Sequence, residues 1–162
     1  MNNDLTDLDS AIEALRAAQT QDLTIFLLPV LALVIWTLVM WVWMYATRIP
    51  AMQKARIDPN TARHPDSGYS EKLPPNVRAA ADNYNHLHEQ PTIFYALMAF
   101  AALTGGADTF GLYLAWAYVG LRVVHSLVQV LSSAVVARFF AFVLASLALF
   151  ILAGKELARV LG

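Results

Sequence analysis

Residues 23–47 of this chain read LTIFLLPVLALVIWTLVMWVWMYAT and contain no charged side chain. A helix needs about 20 mostly apolar residues to cross the hydrocarbon core of a bilayer. The tryptophans and the tyrosine of this stretch gather towards its Arg48 end. Because Trp and Tyr prefer the membrane interface, this end is expected near the headgroups. The stretch therefore predicts a first transmembrane helix.

Three further stretches are almost free of charge: 90–107, 110–131 and 139–154. The first ends at a glycine pair, which is a typical helix stop, and the second is interrupted only by Arg122 and His125. The helix that holds residues 90–107 has room to begin before Glu89, and the helix that holds residues 139–154 has room to begin before Arg138. Four spans with short links after the second and third predict an all-α membrane protein, a four-transmembrane-helix antiparallel bundle.

The composition agrees with a membrane protein. The 162 residues are 58% hydrophobic and 14% charged, whereas a soluble domain is about 45–50% apolar and about 25% charged. The formal net charge of -1 provides no basic field for nucleic acid, so no such partner is expected. Cysteine is absent, so any thiol chemistry requires a small molecule that brings the sulfur.

A polar segment lies at each end of the predicted membrane domain, which covers residues 23–154, and a long polar loop lies within it. Residues 1–22 carry apolar side chains at spacings of three and four, which predicts an amphipathic segment. These side chains are Leu5, Leu8, Ile12 and Leu15. A long loop of about 47–75 holds five prolines and is expected to be irregular. Residues 155–162 form a C-terminal tail.

Lysine and arginine set the orientation of a membrane protein, and acidic residues contribute little. Seven of these cations lie in the long loop, just after it, or at the turn before the fourth helix: Arg48, Lys54, Arg56, Arg63, Lys72, Arg78 and Arg138. Three lie on the opposite side: Arg16, Lys155 and Arg159. The count predicts a cytosolic loop with both termini outside.

Polar residues interrupt the membrane helices in two places, and such residues usually face the bundle interior or a water-filled cavity. Before the second span, spacings of four, three, one and three predict one polar stripe on a helix. Its members are Arg78, Asp82, Asn85, His86 and Glu89. The third helix repeats the pattern with Arg122, His125, Ser126 and Gln129.

Both polar groups are expected at the cytosolic end, where Glu89 and Arg122 could form an ion pair and Arg138 would lie nearby. The pair could equally be structural and set only the helix register, and His125 could be a helix–helix hydrogen-bond donor. No metal site is predicted, because His86 and His88 lie on different faces of a helix.

Two motifs resemble one known family, the membrane-associated proteins in eicosanoid and glutathione metabolism (MAPEG). They are NYNHLHEQPTIFY over residues 83–95 and RVVHS over residues 122–126, with Arg138 sixteen residues after Arg122. The resemblance covers roughly residues 23–153. It implies a homotrimer of four-helix protomers that holds glutathione between neighbouring protomers near the cytosolic face.

The resemblance also implies roles for individual residues. Arg138 matches an arginine that stabilises the glutathione thiolate, and Glu89 matches a glutamate that binds glutathione. Arg122 and His125 match an arginine and a histidine of the third helix. Arg78, Asn85, His86 and Gln129 complete the predicted glutathione-binding set.

Three positions depart from the eukaryotic pattern. Asp82 stands in place of an arginine, His86 in place of an asparagine, and Gln129 in place of a common tyrosine. Arg78, one turn earlier on the same stripe, could compensate for Asp82. The motif over residues 83–95 looks more like the bacterial branch, which implies a bacterial inner-membrane location.

Three functional hypotheses follow. The first is a glutathione-dependent transferase or peroxidase, in which Arg138 stabilises a thiolate that attacks a lipophilic electrophile or a lipid hydroperoxide. The second is a non-catalytic protein on the same fold that binds a lipid or an amphiphile. The third is a haem-binding electron carrier with axial ligands from His86 or His88 and from His125.

Overall fold

The computed structural model describes residues 2–60, 68–132 and 134–162, with side chains from residue 11 onward. Its α-helices are α1 (Asn2–Lys54), α2 (Pro75–His86), α3 (Gln90–Leu103), α4 (Thr109–Leu131) and α5 (Val135–Leu161). A short 3₁₀ turn, Tyr69–Lys72, precedes α2. The loop residues Arg63 and Pro65, and the side chains of Leu5 and Leu8, lie outside the described part.

Three helical segments are long and apolar enough to cross a membrane: Ala11–Lys54, Thr109–Leu131 and Val135–Leu161. They expose many large apolar side chains on the outside of the bundle, among them Leu38, Tyr113 and Phe150. Such a surface is suited to lipid rather than to water. The chain is therefore an integral membrane protein with an all-helical fold.

The second predicted span is built from two helices instead of one. At about 1.5 Å per residue, the 14 residues of α3 are too short to cross a core about 30 Å thick. Helix α2 covers the remaining distance. Three contacts with α4 show how α2 and α3 follow one another along it. Asp82 shares a cavity with Gln129, His86 contacts Arg122, and Phe94 stacks on Tyr118. Together α2 and α3 thus run antiparallel to α4.

Pro91 explains the interruption between α2 and α3. A proline has no backbone N–H, and its ring collides with the carbonyl four residues earlier, which here belongs to Leu87. The helix therefore ends at His86, and α3 begins at Gln90 with the fully buried Pro91 in its first turn. The stripe expected on one helix is divided, because Glu89 lies in the break and not on α2.

Helix α1 differs most from its predicted length. It is one helix of 53 residues, about 80 Å long at 1.5 Å per residue. The described part of the predicted N-terminal segment, residues 2–22, is helical and continuous with the first span, and Leu15 is 71% exposed. At the other end the helix continues through Pro50 to Lys54, so the irregular loop starts later than about residue 47.

A network of charged side chains closes the end of the bundle that holds both chain termini. Lys155 Nζ lies 2.7 Å from Asp108 Oδ2 and 2.9 Å from Glu156 Oε1. Arg159 binds Glu156 and also the backbone oxygen of Thr104 at 3.0 Å. Residues 155–161 are thus the last two turns of α5 and not a separate tail. This network fastens α5 to the link between α3 and α4.

Candidate functional site

The inner face of α4 carries four polar side chains that are all buried. Arg122 is 1% exposed, and His125, Ser126 and Gln129 are also enclosed. Asn83, on the buried face of α2 with Val77 and Ala80, is 0% exposed. We call Asn83, Arg122, His125, Ser126 and Gln129 the polar layer. It lies in the half of the bundle opposite the terminal charge network.

Arg122 is held by a backbone group and not by a carboxylate. Its Nη2 donates to the carbonyl oxygen of His86 at 2.7 Å, and its guanidinium lies 5.8 Å from the ring centre of Phe142. Nε and Nη1 have no hydrogen-bond partner in the described part of the chain. The ion pair expected between Glu89 and Arg122 is not among the salt bridges of the described residues. A buried cation without a counter-ion is costly, and it attracts any anion that can reach it.

His125 is oriented by the backbone of α5. Its Nδ1 lies 3.1 Å from the carbonyl oxygen of Arg138. Because a carbonyl only accepts, Nδ1 carries the proton and donates. Nε2 then presents a lone pair when the ring is neutral, and it is buried without a hydrogen bond from the described residues. His125 is consequently an acceptor aimed into the polar layer.

The other three members of the layer are also unsatisfied. Both amide atoms of Asn83, the hydroxyl of Ser126 and Oε1 of Gln129 are buried without hydrogen-bond partners in the described residues. Most buried polar side-chain atoms in native proteins have a partner from protein or ordered water. These atoms on facing helices therefore leave hydrogen-bonding capacity inside the bundle that a bound molecule or ordered water can use.

His86 and Glu89 form a pair at the edge of this layer. His86 Nδ1 lies 2.8 Å from Glu89 Oε2, and both side chains are partly exposed. The break after His86 determines the distance between these two side chains, because Glu89 is the last residue before α3. The His86 ring also lies 6.2 Å from that of His125, edge to face. His88 points elsewhere, with Nδ1 2.9 Å from the carbonyl oxygen of Tyr84.

Arg138 lines a cavity of about 370 Å³ between the start of α2, the end of α4 and the start of α5. Gln129 opens into this cavity and connects it with the polar layer. A smaller adjoining cavity of about 230 Å³ adds Arg78 and Asp82. The larger volume is within the range of small-ligand pockets, about 300–1,000 Å³.

A second large cavity, of about 430 Å³, lies on the outer side of α2. Its walls include Arg78, Asp82 and Asn85, together with Arg48 and Tyr69. The Arg48 guanidinium donates to the Tyr69 hydroxyl and lies over its ring. Arg48 and Tyr69 are not among the predicted site residues, although the position of Arg48 at the end of the first apolar stretch is a signal for such a role.

The predicted site residues are therefore divided between the buried interior, the outer face of α2 and the junction between α2 and α3. The buried interior contains Arg122, His125 and Gln129, and Arg138 lies beside it. The outer face of α2 carries Arg78 and Asn85, while His86 and Glu89 lie at the junction between α2 and α3. Asn83 belongs to the interior although it is off the predicted stripe, because α2 buries the positions Val77, Ala80 and Asn83 at steps of three.

The donor set fits a small acid. Arg122 has two unpaired nitrogens, Arg138 and Arg78 supply cations that never lose their protons, and Gln129 offers an amide. Glu89 is available for a positively charged amine. Asp82 works against a carboxylate in the same cavity, although it is exposed and Arg78 lines the same cavity. The arrangement can bind a small anion.

Comparison with known proteins gives one match. A family model described as the MAPEG family matches residues 26–158, which include every predicted site residue. No curated protein matches the chain, and no solved structure does.

Proposed function

The chain belongs to the MAPEG family, and from this premise we propose that it binds a small thiol, glutathione or a similar molecule, and activates it against lipophilic electrophiles or lipid hydroperoxides. The observation that carries the proposal is the cavity shared by Arg138 and Gln129, which leads to the unpaired polar layer. A cation beside a cavity of this size is what a thiolate requires.

Each residue has a defined task in this proposal. Arg138 lowers the pKa of the bound thiol by placing a permanent positive charge near the sulfur. Arg122 and Arg78 bind carboxylates, and Glu89 binds an ammonium group. Asn85, His86, His125 and Gln129 donate or accept hydrogen bonds that orient the ligand. The bound thiol supplies the nucleophilic sulfur.

The same proposal includes a homotrimer in the bacterial inner membrane, surrounded by lipid, with the basic loop in the cytosol. Its support is the exposed polar face of α2, which carries Arg78, Asp82 and Asn85 and belongs to a helix packed against the membrane-spanning helices α1 and α4. Charged residues avoid contact with lipid. A neighbouring copy would cover them and enclose the cavity of about 430 Å³.

The test is equilibrium binding of glutathione to the detergent-purified protein, with the thiolate followed by its absorbance at about 240 nm. We expect binding and a thiolate signal in the wild type. In Arg138→Ala the signal should be lost while the helical circular dichroism is unchanged. Arg16→Ala, an exposed arginine at the other end, is the matched control. A thiolate signal that persists in Arg138→Ala would remove Arg138 from the mechanism.

A second candidate function is non-catalytic binding of a lipid or an amphiphile. The observation that favours it is Asp82, because a carboxylate in the cavity of Arg138 and Arg78 repels the carboxylates of glutathione. This candidate predicts no glutathione binding at millimolar concentration. It also predicts a lipid that remains with the purified protein and is identified by mass spectrometry.

A further inference from the structure

We propose that His86, oriented by Glu89, is the general base that accepts the proton of the bound thiol. The inference rests on the proposed function and assigns a proton acceptor to it. Arg138 can stabilise a negative sulfur, but it cannot take up a proton because its guanidinium is already protonated. A protein that ionises a thiol also needs a place for the proton, and this chain offers an imidazole for that purpose.

The structure holds His86 by two contacts from different elements. Glu89 Oε2 lies 2.8 Å from its Nδ1, and Arg122 Nη2 donates to its carbonyl oxygen at 2.7 Å. The first contact positions the ring, and the second positions the backbone at the end of α2. Both depend on the break caused by Pro91. Without it Glu89 would continue the helix, and the His86 carbonyl would be occupied by the amide of Gln90.

The contact with Glu89 decides which ring nitrogen is the base. An ionised carboxylate only accepts hydrogen bonds, so Nδ1 carries the proton and donates to Glu89. In the neutral ring Nε2 then has the free lone pair. The side chain of His86 is 44% exposed, so the ring is not enclosed within the described part of the chain. A carboxylate that orients a histidine and stabilises its protonated form is a recurring device in enzymes.

Three charged or titratable residues lie around His86. The carboxylate of Glu89, three residues later in the chain, contacts its ring. From α4, Arg122 contacts its backbone carbonyl, and the ring of His125 lies 6.2 Å away. Arg138 on α5 contributes a backbone carbonyl to His125. The nearest ionised group to the His86 ring is the carboxylate of Glu89, which contacts the ring directly.

The step is a single proton transfer. The S–H bond breaks, the proton moves to Nε2 of His86, and the electron pair stays on sulfur beside Arg138. The imidazolium that forms is stabilised by Glu89, so the overall charge of protein and ligand is unchanged. An asparagine at this position, as in the eukaryotic pattern, could not take up the proton.

The first measurement is the tautomer of His86 in the full-length protein without any thiol. Long-range nitrogen–proton NMR of ¹⁵N-labelled protein distinguishes the two ring nitrogens, and loss of the signals in His86→Asn assigns them. We expect the neutral ring to be protonated at Nδ1 only. His88→Asn, which removes the neighbouring exposed histidine, is the control and should leave these signals in place. A neutral ring protonated at Nε2 would overturn the proposal.

The second measurement counts protons released on binding. Calorimetric titration with glutathione in two buffers of different ionisation enthalpy gives the number of protons released per thiolate. We expect His86→Asn to release more than the wild type, with the difference approaching one proton, and its turnover to fall about 10²–10⁴-fold. Equal release would overturn the role of His86 while leaving thiol binding intact. Absence of any thiolate signal in the wild type would overturn the proposed function and, with it, this inference.

Discussion

The guanidinium of Arg122 donates through Nη2 to the carbonyl oxygen of His86 across 2.7 Å. In an uninterrupted helix that oxygen would accept the amide of Gln90. Since α2 ends at His86, the oxygen is one of the orphan acceptors at a helix terminus, and it needs a partner from elsewhere. This hydrogen bond gives the His86 carbonyl its partner and pairs one nitrogen of the buried guanidinium. It also joins α2 to α4 beside the polar layer.

Removing the Arg122 guanidinium should loosen the junction between α2 and α3. We expect Arg122→Met, which keeps most of the packing volume, to fold but to leave the His86 carbonyl without its donor. Amide hydrogen exchange at residues 87–90 should then become faster, whereas exchange in the middle of α5 should not change. Protection at 87–90 equal to that of the wild type would show that the junction does not depend on this contact.

Gly106 should not tolerate a side chain. A Cβ at this position would overlap Glu156 Oε2 and approach Arg159 Nε to 2.8 Å. We expect Gly106→Ala to disrupt the terminal charge network and to lower the thermal midpoint in detergent. Gly120→Ala is the matched control, because nothing lies within 4 Å of its new methyl group. In the interior of α4 this control should stabilise by about 0.5–1 kcal/mol. Equal midpoints for the two variants would contradict the expectation.

Asp82 should weaken the affinity for an anionic thiol ligand. We expect Asp82→Asn to bind glutathione about 2–5-fold more tightly, because it removes a like charge worth up to about 1 kcal/mol at an exposed site. Asp22→Asn, at the opposite end of the bundle, should bind as the wild type does. Unchanged affinity in Asp82→Asn would separate this carboxylate from the ligand cavity.

Asp108 should make the stability of the bundle depend on pH. Partial burial raises its pKa, but hydrogen bonds from Lys155 and from the backbone of Gly111, with the charges of Lys155 and Arg159, hold the pKa below its ordinary value. A carboxyl whose pKa is lowered by folding stabilises the protein above the unfolded value of about 3.9. This contribution is lost as the pH falls below about 4, through the lowered folded-state pKa.

The variant that isolates this effect is Asp108→Asn, which keeps a side-chain oxygen at the start of α4 to cap Gly111. We expect its thermal midpoint to fall less than that of the wild type between about pH 5 and pH 3. The effect should be modest because Asp108 is about half exposed. Identical pH dependence in both proteins would show that this carboxylate titrates alike in the folded and unfolded states.

The membrane helices could be predicted from the sequence because they depend on length and local composition. The uncharged residues 23–47 lie inside α1, and the glycine pair after Thr104 ends α3 as expected. The polar face of α4 also follows from spacing alone, since steps of three and four always return to one side of a helix. The same rule placed Glu89 wrongly, because it assumed that the helix continued past His86.

What the sequence determined on its own is therefore the membrane fold and the family, since both reside in apolar runs and in motifs of neighbouring residues. The tertiary structure decided which polar groups meet. Glu89 binds His86 instead of Arg122, and Asn83 is buried while Asn85 is exposed. These outcomes depend on how Pro91 divides a helix and on which face of α2 packs inward. The first is a local effect of proline that the spacing of polar residues does not register. The second results from the packing of α2 against α1 and α4, which are distant in the chain.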